Sequence, residues 1–357
     1  MIYNVIGLMS GSSLDGLDIA FVEITDVRND WSYEIKEATC IPFEDGLRAQ
    51  LKQAAALPVP EFLRLHTRLG KWMGEQVNLF IENNQLHHKV HFIASHGHTV
   101  FHEPQNGTST QIGDGAGIAA TTGLTTITDL RNMDVALGGQ GAPIVPLADR
   151  MLFKEYHYCL NIGGIANITV NTEHPVAFDI SPANQLLDHY AQKMGRSYDE
   201  GGDLARSGTV NQELLQQLND QPYYTLPAPK SLSNDFAGTL HQLADASGLS
   251  SVDILATYTA HIAAQAAQAI AAYPKDAGQK MLITGGGAFN SYLVEQLQLA
   301  LPELELVVPE QALIKHKEAL AMGLIGVLRW REEYNVLSSV TGASRNSIGG
   351  AVWLGNN

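Results

Sequence analysis

The chain has 357 residues, of which 45% are hydrophobic and 17% are charged, and its formal net charge is −15 at pH 7. This length exceeds the size at which one hydrophobic core stops growing, so we expect two domains. The acidic balance argues against binding to nucleic acid or to an anionic membrane surface. With two cysteines, no signal-peptide pattern and no long apolar run, we expect a cytoplasmic protein without disulfides.

The first predicted element is an apolar strand over 2–8, followed by a loop rich in glycine and serine. Two further strands follow, over 17–24 and 31–35, so the loop joins strands and does not open a helix as a P-loop does. Glycine lets backbone N–H groups approach a phosphate, and a nearby carboxylate can hold Mg²⁺. An ordinary β-turn is the alternative. The predicted phosphate-binding residues are Gly11, Ser12, Ser13, Leu14, Asp15, Gly16, Leu17 and Asp18, with Asp18 also the predicted Mg²⁺ ligand.

Three histidines follow a predicted helix over 61–84 and a predicted buried strand over 90–94. They are His96, His98 and His102. Alternate residues of a strand share one face, so a metal site is one interpretation. We favour a polar pocket wall, because nothing elsewhere completes a convincing ligand set, and His98 is a predicted substrate contact.

A short helix over 113–122 and a strand over 125–128 are predicted next. Arg131 follows this strand. It can bind a ligand carboxylate through two hydrogen bonds, or it can form a salt bridge to Asp129 or Asp134. The sequence leaves both interpretations open.

The glycine-dense segment 138–143 is the predicted crossover between domains, because so many glycines do not fit inside a regular element. The expected domains are therefore residues 1–133 and 134–357. The tail over 335–357 is rich in glycine and serine, and we expect it to pack on the N-terminal domain.

The second half repeats the theme of the first, with strands over 158–162 and 165–170 on either side of a glycine turn. Another strand is predicted over 176–179, a helix over 253–272 and a strand over 281–284 before a third glycine loop. A tight strand-to-helix turn is the alternative for this last loop, although such a turn does not need three glycines. The predicted nucleotide-binding residues of the two loops are Asn161, Gly163, Gly164, Asn167, Gly285, Gly286, Gly287 and Asn290.

Asp179 is the candidate catalytic residue of this half. It lies at the carboxyl end of an apolar strand, where open α/β sheets bind ligands, and it can act there as a general base. The alternative is that Asp179 caps the following helix, because Asp is a favourable N-cap. Position alone does not decide between the two.

With these motifs the chain resembles the anhydro-N-acetylmuramic acid kinases, members of the actin/hexokinase/Hsp70-like ATPase superfamily. The resemblance implies an α/β, two-lobed actin-like ATPase fold, with ribonuclease H-like mixed sheets flanked by helices and ATP in the cleft between the lobes. The matching segments occur in family order over almost the whole chain. They are 7–18, 96–100, 102–104, 111–114, 131–143, 161–167, 285–290 and 339–344.

The resemblance also implies a reaction. It is the hydrolytic phosphorylation of 1,6-anhydro-N-acetylmuramic acid by ATP and Mg²⁺, in a homodimer that takes part in peptidoglycan recycling. This sugar has no free 6-hydroxyl, so water must attack C1 and the released O6 accepts the γ-phosphoryl group. Asp179 aligns with the base of the family. The implied substrate contacts are His98, Arg131, Asn184 and Glu318.

Two segments depart from the family pattern. Residues 179–184 read D-I-S-P-A-N where the family usually has D-T-G-P-G-N, and the basic residues Lys315, His316 and Lys317 replace an acidic stretch before Glu318. Both departures concern the sugar more than the ATP. They keep two alternatives open: an ordinary sugar kinase in which Asp179 deprotonates a hydroxyl, and a nucleotide-binding regulatory protein that has lost turnover.

Overall fold

The chain folds into two compact units, each with its own mixed β-sheet and packed helices. The computed structural model describes residues 1–11, 14–173, 175–228, 230–233, 235–273 and 278–356. Unit 1 comprises Met1–Leu152 and His316–Asn357, and unit 2 comprises Phe153–Lys315. The α/β class predicted from the sequence is confirmed.

The elements are numbered in chain order. Up to the end of the first segment of unit 1 they are β1 (Ile2–Ser10), β2 (Gly16–Val27), β3 (Asp30–Pro42), α1 (Asp45–Lys52), α2 (Val59–Asn83), β4 (Phe92–Glu103), β5 (Thr108–Ile112), α3 (Gly115–Thr122), β6 (Thr126–Thr128), α4 (Asn132–Ala136) and α5 (Pro146–Leu152). Unit 2 contains β7 (Tyr158–Ile162), β8 (Ile165–Val170), β9 (Val176–Pro182), α6 (Asn184–Lys193), α7 (Asp203–Ser207), α8 (Gln212–Asn219), α9 (Phe236–Ala246), α10 (Ser251–Ala269), β10 (Lys280–Thr284), α11 (Ser291–Ala300) and β11 (Glu305–Val307). The chain ends with α12 (Gln311–Trp330), α13 (Ser338–Thr341) and β12 (Ala351–Trp353).

The two sheets share one topology. In unit 1 the order is β12-β6-β4-β1-β2-β3, with β5 paired to β4, and in unit 2 it is β11-β10-β7-β8-β9. The first three strands of each unit form an antiparallel meander, and a parallel pair of strands continues the sheet from the first of them. The architecture is therefore duplicated, although the two halves of the sequence show only faint similarity.

Helix α12 packs tightly on the sheet of unit 1. A Cβ atom on Gly7 of β1 would lie 1.9 Å from the carbonyl oxygen of Ala319, so only glycine permits this approach. The helix backbone is non-helical at His316, where unit 2 gives way to unit 1. The contact with β1 places Glu318, the residue before Ala319, beside the middle of this sheet.

The units divide the chain at a different place from the predicted boundary after residue 133. The segment 138–143 does not link the units but folds around Asp134 within unit 1. Its Gly141 amide donates to Asp134 Oδ2 at 2.7 Å, and its Gln140 amide donates to the carbonyl of Thr341 at 2.8 Å. These hydrogen bonds, together with helix α5, keep the chain in unit 1 until Leu152.

Two strands extend further than their apolar stretches suggest. Strand β4 continues through the three histidines, because β1 pairs with it on one side and β5 on the other. Strand β9 continues to Pro182, paired with β8. In the part of the chain that the structure describes, no helix has the length and apolar character that a membrane span requires.

Candidate active site

Asp179 lies within β9, and a neighbouring loop holds it at three points. The amide of Leu232 donates to Asp179 Oδ2 at 2.9 Å, and the Tyr223 hydroxyl donates to the carbonyl of Asp179 at 2.8 Å. The amide of Asp179 donates to the carbonyl of Lys230 at 3.1 Å. The alternative that Asp179 caps a helix is wrong, because α6 begins at Asn184 and its N-cap is Ala183.

The surroundings of Asp179 favour its protonated form more than water does. Burial raises the pKa of its carboxyl, and the hydrogen bond from the Leu232 amide offsets part of this effect. No salt bridge to Asp179 occurs among the residues described. A half-buried carboxylate of this kind is a stronger proton acceptor than an aspartate in water.

The two glycine loops of unit 2 lie against each other. A Cβ atom on Gly285 would lie 2.7 Å from the carbonyl oxygen of Ile162 and 2.8 Å from Asn161 Oδ1, and one on Gly287 would lie 2.3 Å from Ile162 Cγ2. Gly285 also has a φ of +80°. These two glycines are therefore required by packing on β7. A Cβ atom on Gly286 would meet only Asn184 Nδ2, at 3.3 Å.

The turn at Gly163 and Gly164 ties β7 and β8 to helix α6. The carbonyl of Gly163 accepts from the amide of Asn184 at 3.1 Å, and the carbonyl of Gly164 accepts from the amide of Ala183 at 2.7 Å. The amides at the start of α6 are thus already bonded to protein. The amides of the turn itself are the groups that remain as candidates for a phosphate.

The predicted asparagines of unit 2 have different roles. Asn161 and Asn167 face each other across β7 and β8. Asn290 is buried and caps α11, where its Oδ1 accepts from the amide of Leu293 at 2.9 Å. The Nδ2 atom of Asn184 donates to the carbonyl of Ile162 at 3.3 Å, which directs this side chain to the glycine loops.

Thr284 is a candidate ligand-binding residue that was not predicted from the sequence. Its hydroxyl is buried at the end of β10, directly before Gly285, and it has no hydrogen-bond partner within the described ranges. A polar residue that ends an apolar strand before a glycine loop was the available signal.

The side chains that depart from the family pattern after Asp179 lie in the interior of unit 2. Ile180 is 2% exposed, and Ser181 and Ala183 are both 0% exposed. Ile180 and Ala183 belong to the hydrophobic core of the unit. The substitutions therefore change the support of β9 and not the surface that carries the Asp179 carboxylate.

Arg131 in unit 1 is held by neutral groups. Its Nε donates to His96 Nε2 at 2.8 Å, and its Nη1 donates to the carbonyl of Gly141 at 2.6 Å. The alternative that Arg131 forms a salt bridge to Asp129 or Asp134 is not seen among the described residues. Asp129 accepts from Asn132 Nδ2, and Asp134 accepts from the hydroxyl of Thr341 and the amide of Gly141.

His96 must be neutral to hold Arg131 in this way. Its Nδ1 lies 3.0 Å from the carbonyl of Gly97, so Nδ1 carries the proton and Nε2 accepts from Arg131. Burial, with a smaller contribution from the Arg131 charge, lowers the pKa of His96 to about 3. Burial lowers the pKa of Arg131 only to about 10, so the guanidinium stays charged.

The other two histidines also pair with oxygen atoms. His98 Nδ1 lies 3.0 Å from Ser10 Oγ, and both side chains are buried. His102 Nδ1 lies 3.0 Å from Ser109 Oγ. No group of three or more metal-ligating side chains is found in the portion of the chain that the structure covers.

Of the first predicted loop, Ser12 and Ser13 lie outside the described residues. Leu14 adopts a φ of 58°. A Cβ atom on Gly16 would lie 2.3 Å from the carbonyl oxygen of Ile41, so β3 requires this glycine. The side chain of Leu17 is 0% exposed and belongs to the core. Gly11, Leu14, Asp15 and Asp18 are the described residues of this loop with exposed or half-exposed surface.

The carboxylates of Asp18 and Glu318 interact electrostatically near His316, where the backbone of α12 is non-helical. Asp18 Oδ1 lies 3.5 Å from His316 Nδ1. Burial, and next the negative charge of Asp18, raises the pKa of Glu318, while the charges of Lys317 and Arg131 lower it. The structure therefore groups Asp18, Arg131 and Glu318 in unit 1, whereas the expected boundary after residue 133 assigned Glu318 to the second domain.

Lys317, one of the basic residues before Glu318, has a buried acidic partner. Lys317 Nζ lies 2.7 Å from Asp149 Oδ1, and the two side chains are 6% and 3% exposed. Asp149 lies in α5, nearly 170 residues earlier, so no local pattern could indicate this partner. The charge of Lys317 is thereby offset inside unit 1.

Comparison with known proteins assigns the chain to a family. A family model described as anhydro-N-acetylmuramic acid kinase matches residues 3–355. A protein of this name from Synechococcus elongatus is 35% identical over 98% of this chain and 99% of its own length. One from Shewanella denitrificans is 36% identical over 96% of each chain. The chain belongs to the anhydro-N-acetylmuramic acid kinase family.

Similarity to solved structures is more distant. The component A of (R)-2-hydroxyglutaryl-CoA dehydratase from Acidaminococcus fermentans has a TM-score of 0.47 at 13% identity, and covers 90% of this chain and 96% of its own. A hexokinase from Schistosoma mansoni in complex with glucose has a TM-score of 0.41 at 10% identity, and covers 90% of this chain and 85% of its own. The family assignment rests on the sequence relatives and not on these structures.

Proposed function

We propose that this protein uses ATP to phosphorylate 1,6-anhydro-N-acetylmuramic acid with concurrent hydrolysis, giving N-acetylmuramic acid 6-phosphate for peptidoglycan recycling. The observation that carries the proposal is the carboxylate of Asp179, which is held by the Leu232 amide and has its pKa raised by burial. Membership of the family supplies the substrate. The chain retains the Asp, Pro and Asn of the family segment at positions 179, 182 and 184.

In the proposed reaction Asp179 takes a proton from a water molecule. The water oxygen forms a bond to C1 of the sugar, and the bond between C1 and O6 breaks. The released O6 forms a bond to the γ-phosphorus of ATP, and ADP leaves. A base with a raised pKa removes this proton more effectively than an ordinary carboxylate.

Arg131 is the proposed contact for the lactyl carboxylate of the sugar. Its Nε and Nη1 atoms are fixed by His96 and Gly141, which orients the guanidinium before a ligand arrives. A buried, oriented guanidinium is well suited to a carboxylate. Glu318 is the proposed acceptor for a sugar hydroxyl, and His98 and Asn184 are further proposed contacts.

The proposed phosphate contacts are the backbone amides of the loops at 11–18, 163–164 and 285–287. Gly286 supports this assignment, because its missing side chain is not explained by packing on β7. Asp18 is the residue proposed to hold Mg²⁺, since carboxylate oxygen is a preferred ligand and this side chain is 28% exposed. When bound, Mg²⁺ neutralises charge on the phosphates.

We further propose that the protein is a cytoplasmic homodimer. The dimer is implied by the family resemblance, and the cytoplasm by the use of ATP. Light scattering after size exclusion tests the dimer, because a mass near 38.6 kDa would instead indicate a monomer.

The test is to incubate the protein with ATP, Mg²⁺ and the anhydro sugar, and to follow ADP and the sugar phosphate by mass spectrometry. Asp179→Asn should lower kcat about 1,000-fold, since general base catalysis contributes roughly 10²–10⁴-fold. The matched control is Asp245→Asn, which removes another hydrogen-bonded carboxylate of unit 2. Binding of ATP without ADP formation by the wild type would favour the regulatory alternative.

A further inference from the structure

A network of buried polar side chains in unit 2 includes Tyr224, the neighbour of the Tyr223 that bonds Asp179. The hydroxyl of Tyr224 lies 2.9 Å from His261 Nε2, and His261 Nδ1 lies 2.7 Å from Asn219 Oδ1. His261 is 0% exposed, in the middle of α10. Buried polar groups such as these stabilise one arrangement only when all of them are paired.

The partners fix the direction of each hydrogen bond. Asn219 Oδ1 also accepts from Gln265 Nε2 at 2.8 Å, so it acts as an acceptor and His261 Nδ1 carries the proton. His261 Nε2 is then an acceptor, and the Tyr224 hydroxyl donates to it. The hydroxyl of Ser181 donates to the carbonyl of Pro182 at 2.8 Å, which leaves Tyr224 as the donor to His261.

Tyr224 anchors the loop that fixes Asp179. It belongs to a 3₁₀ turn over Pro222–Thr225, and its neighbour Tyr223 donates to the carbonyl of Asp179. Lys230 Nζ donates to the carbonyls of Tyr223 and Tyr224, at 3.1 Å and 3.3 Å. The backbone that follows Lys230 supplies the Leu232 amide to the carboxylate.

These contacts connect His261 of α10 to the Asp179 carboxylate, although His261 itself does not contact the carboxylate. We propose that His261 is a positioning residue for Asp179, acting through Tyr224 on the loop that supplies the Tyr223 hydroxyl and the Leu232 amide. The inference rests on the proposed role of Asp179 as the base.

The network acts on the Asp179 carboxyl through one hydrogen bond. The Leu232 amide lowers the pKa of Asp179, so a loop that holds this amide less firmly leaves the pKa higher. The titratable loop residues that contact Asp179 are Tyr223, whose hydroxyl donates to the Asp179 carbonyl, and Lys230, whose carbonyl accepts from the Asp179 amide. Burial raises the pKa of Tyr223 and lowers that of Lys230, and the Nζ of Lys230 is bonded to backbone carbonyls.

The experiment compares Tyr224→Phe and His261→Leu with the wild type in kcat, in KM for ATP and in the pH dependence of kcat. We expect kcat to fall about tenfold, because a small misplacement of a catalytic group costs up to roughly 100-fold. KM for ATP should stay unchanged, and the acid limb of the kcat profile should move to higher pH. His261→Gln should recover most of kcat, because its amide both accepts and donates.

The matched control is Tyr258→Phe. It removes another buried tyrosine hydroxyl, from the same helix as His261, whose oxygen lies 3.4 Å from His241 Nδ1 and outside the network. This variant should keep the acid limb of the wild type. If His261→Leu does not fold, Tyr224→Phe and His261→Gln still carry the test.

Two results would overturn the inference, and each points to a different failure. An inactive Asp179→Asn together with an unmoved acid limb in Tyr224→Phe would mean that the network only stabilises unit 2. An Asp179→Asn variant with wild-type kcat would remove the proposed base, and the positioning role with it.

Discussion

The two sheets run in the same order, β3-β2-β1-β4-β6 in unit 1 and β9-β8-β7-β10-β11 in unit 2, but their charged groups are arranged differently. In unit 1 two cationic side chains have fixed partners. Arg131 donates a hydrogen bond to His96, and Lys317 forms a salt bridge with Asp149. In unit 2 the candidate catalytic carboxylate, Asp179, lies on the edge strand β9 and accepts a hydrogen bond from a backbone amide. The same sheet topology thus carries oriented cationic side chains in unit 1 and a carboxylate with a raised pKa in unit 2.

The largest effect is expected from breaking the buried pair in unit 1. Lys317→Met leaves the Asp149 carboxylate in the interior without this cation, and should destabilise the protein by about 3–5 kcal/mol. Urea denaturation measures the loss. The double variant Lys317→Met with Asp149→Leu should recover most of it, because neither charge of the pair then remains in the interior without the other. A double variant as unstable as the single one would contradict this account.

Arg131→Lys tests whether unit 1 supplies binding. A lysine cannot bond His96, Gly141 and a carboxylate with the same fixed geometry, and a hydrogen bond to a charged group contributes about 1.5–3 kcal/mol. We expect KM for the sugar to rise about 10- to 100-fold, with KM for ATP unchanged. The exposed Arg150→Lys in α5 is the control. An equal change in both KM values would argue against a sugar contact.

Gly287→Ala tests the packing of the loops in unit 2. Its new Cβ would lie 2.3 Å from Ile162 Cγ2, so the variant should lose about 1–3 kcal/mol of stability, measured by thermal unfolding. Gly238→Ala is the matched control, because nothing lies within 4 Å of its Cβ position in α9. That substitution should stabilise the helix slightly. Equal stability of the two variants would show that the loops are not tightly packed.

The smallest effect concerns pH. Asp179 must be ionised to accept a proton, so kcat falls as the pH drops through its pKa. Burial raises that pKa, and the acid limb of kcat should therefore lie above the ordinary range of an aspartate. His96 stays neutral throughout, so its hydrogen bond with Arg131 should be kept between about pH 5.5 and 8. A limb at the ordinary aspartate value would mean that Asp179 is more solvated than its surroundings indicate.

Local signals in the sequence were sufficient for much of the fold. The apolar runs of β1, β7 and β10 and the period of α2 predicted elements of the right type, because each element buries one continuous face. The glycine loops were predicted for phosphate contact. Packing on Ile162 explains Gly285 and Gly287 equally well, and only the structure could show this second reason.

Long-range partners could not be read from the sequence. The boundary between the units depends on hydrogen bonds from the segment 138–143 to Asp134 and Thr341, which are about 200 residues apart. The partner of Arg131 is a neutral histidine and not a nearby aspartate. The burial of Ser181 likewise depends on Tyr224 and His261, which lie on other elements.

The central claim is that water attacks the sugar while O6 accepts the phosphoryl group, and one labelling experiment tests it most directly. The reaction is run in water enriched in heavy oxygen, quenched early and analysed for label at C1 and in the phosphoryl group. A control in which finished product stands in the same water for the same time corrects for exchange at C1. We predict label at C1 and none in the phosphoryl group. A sugar phosphate without label at C1 would contradict hydrolytic phosphorylation and favour transfer to a free hydroxyl.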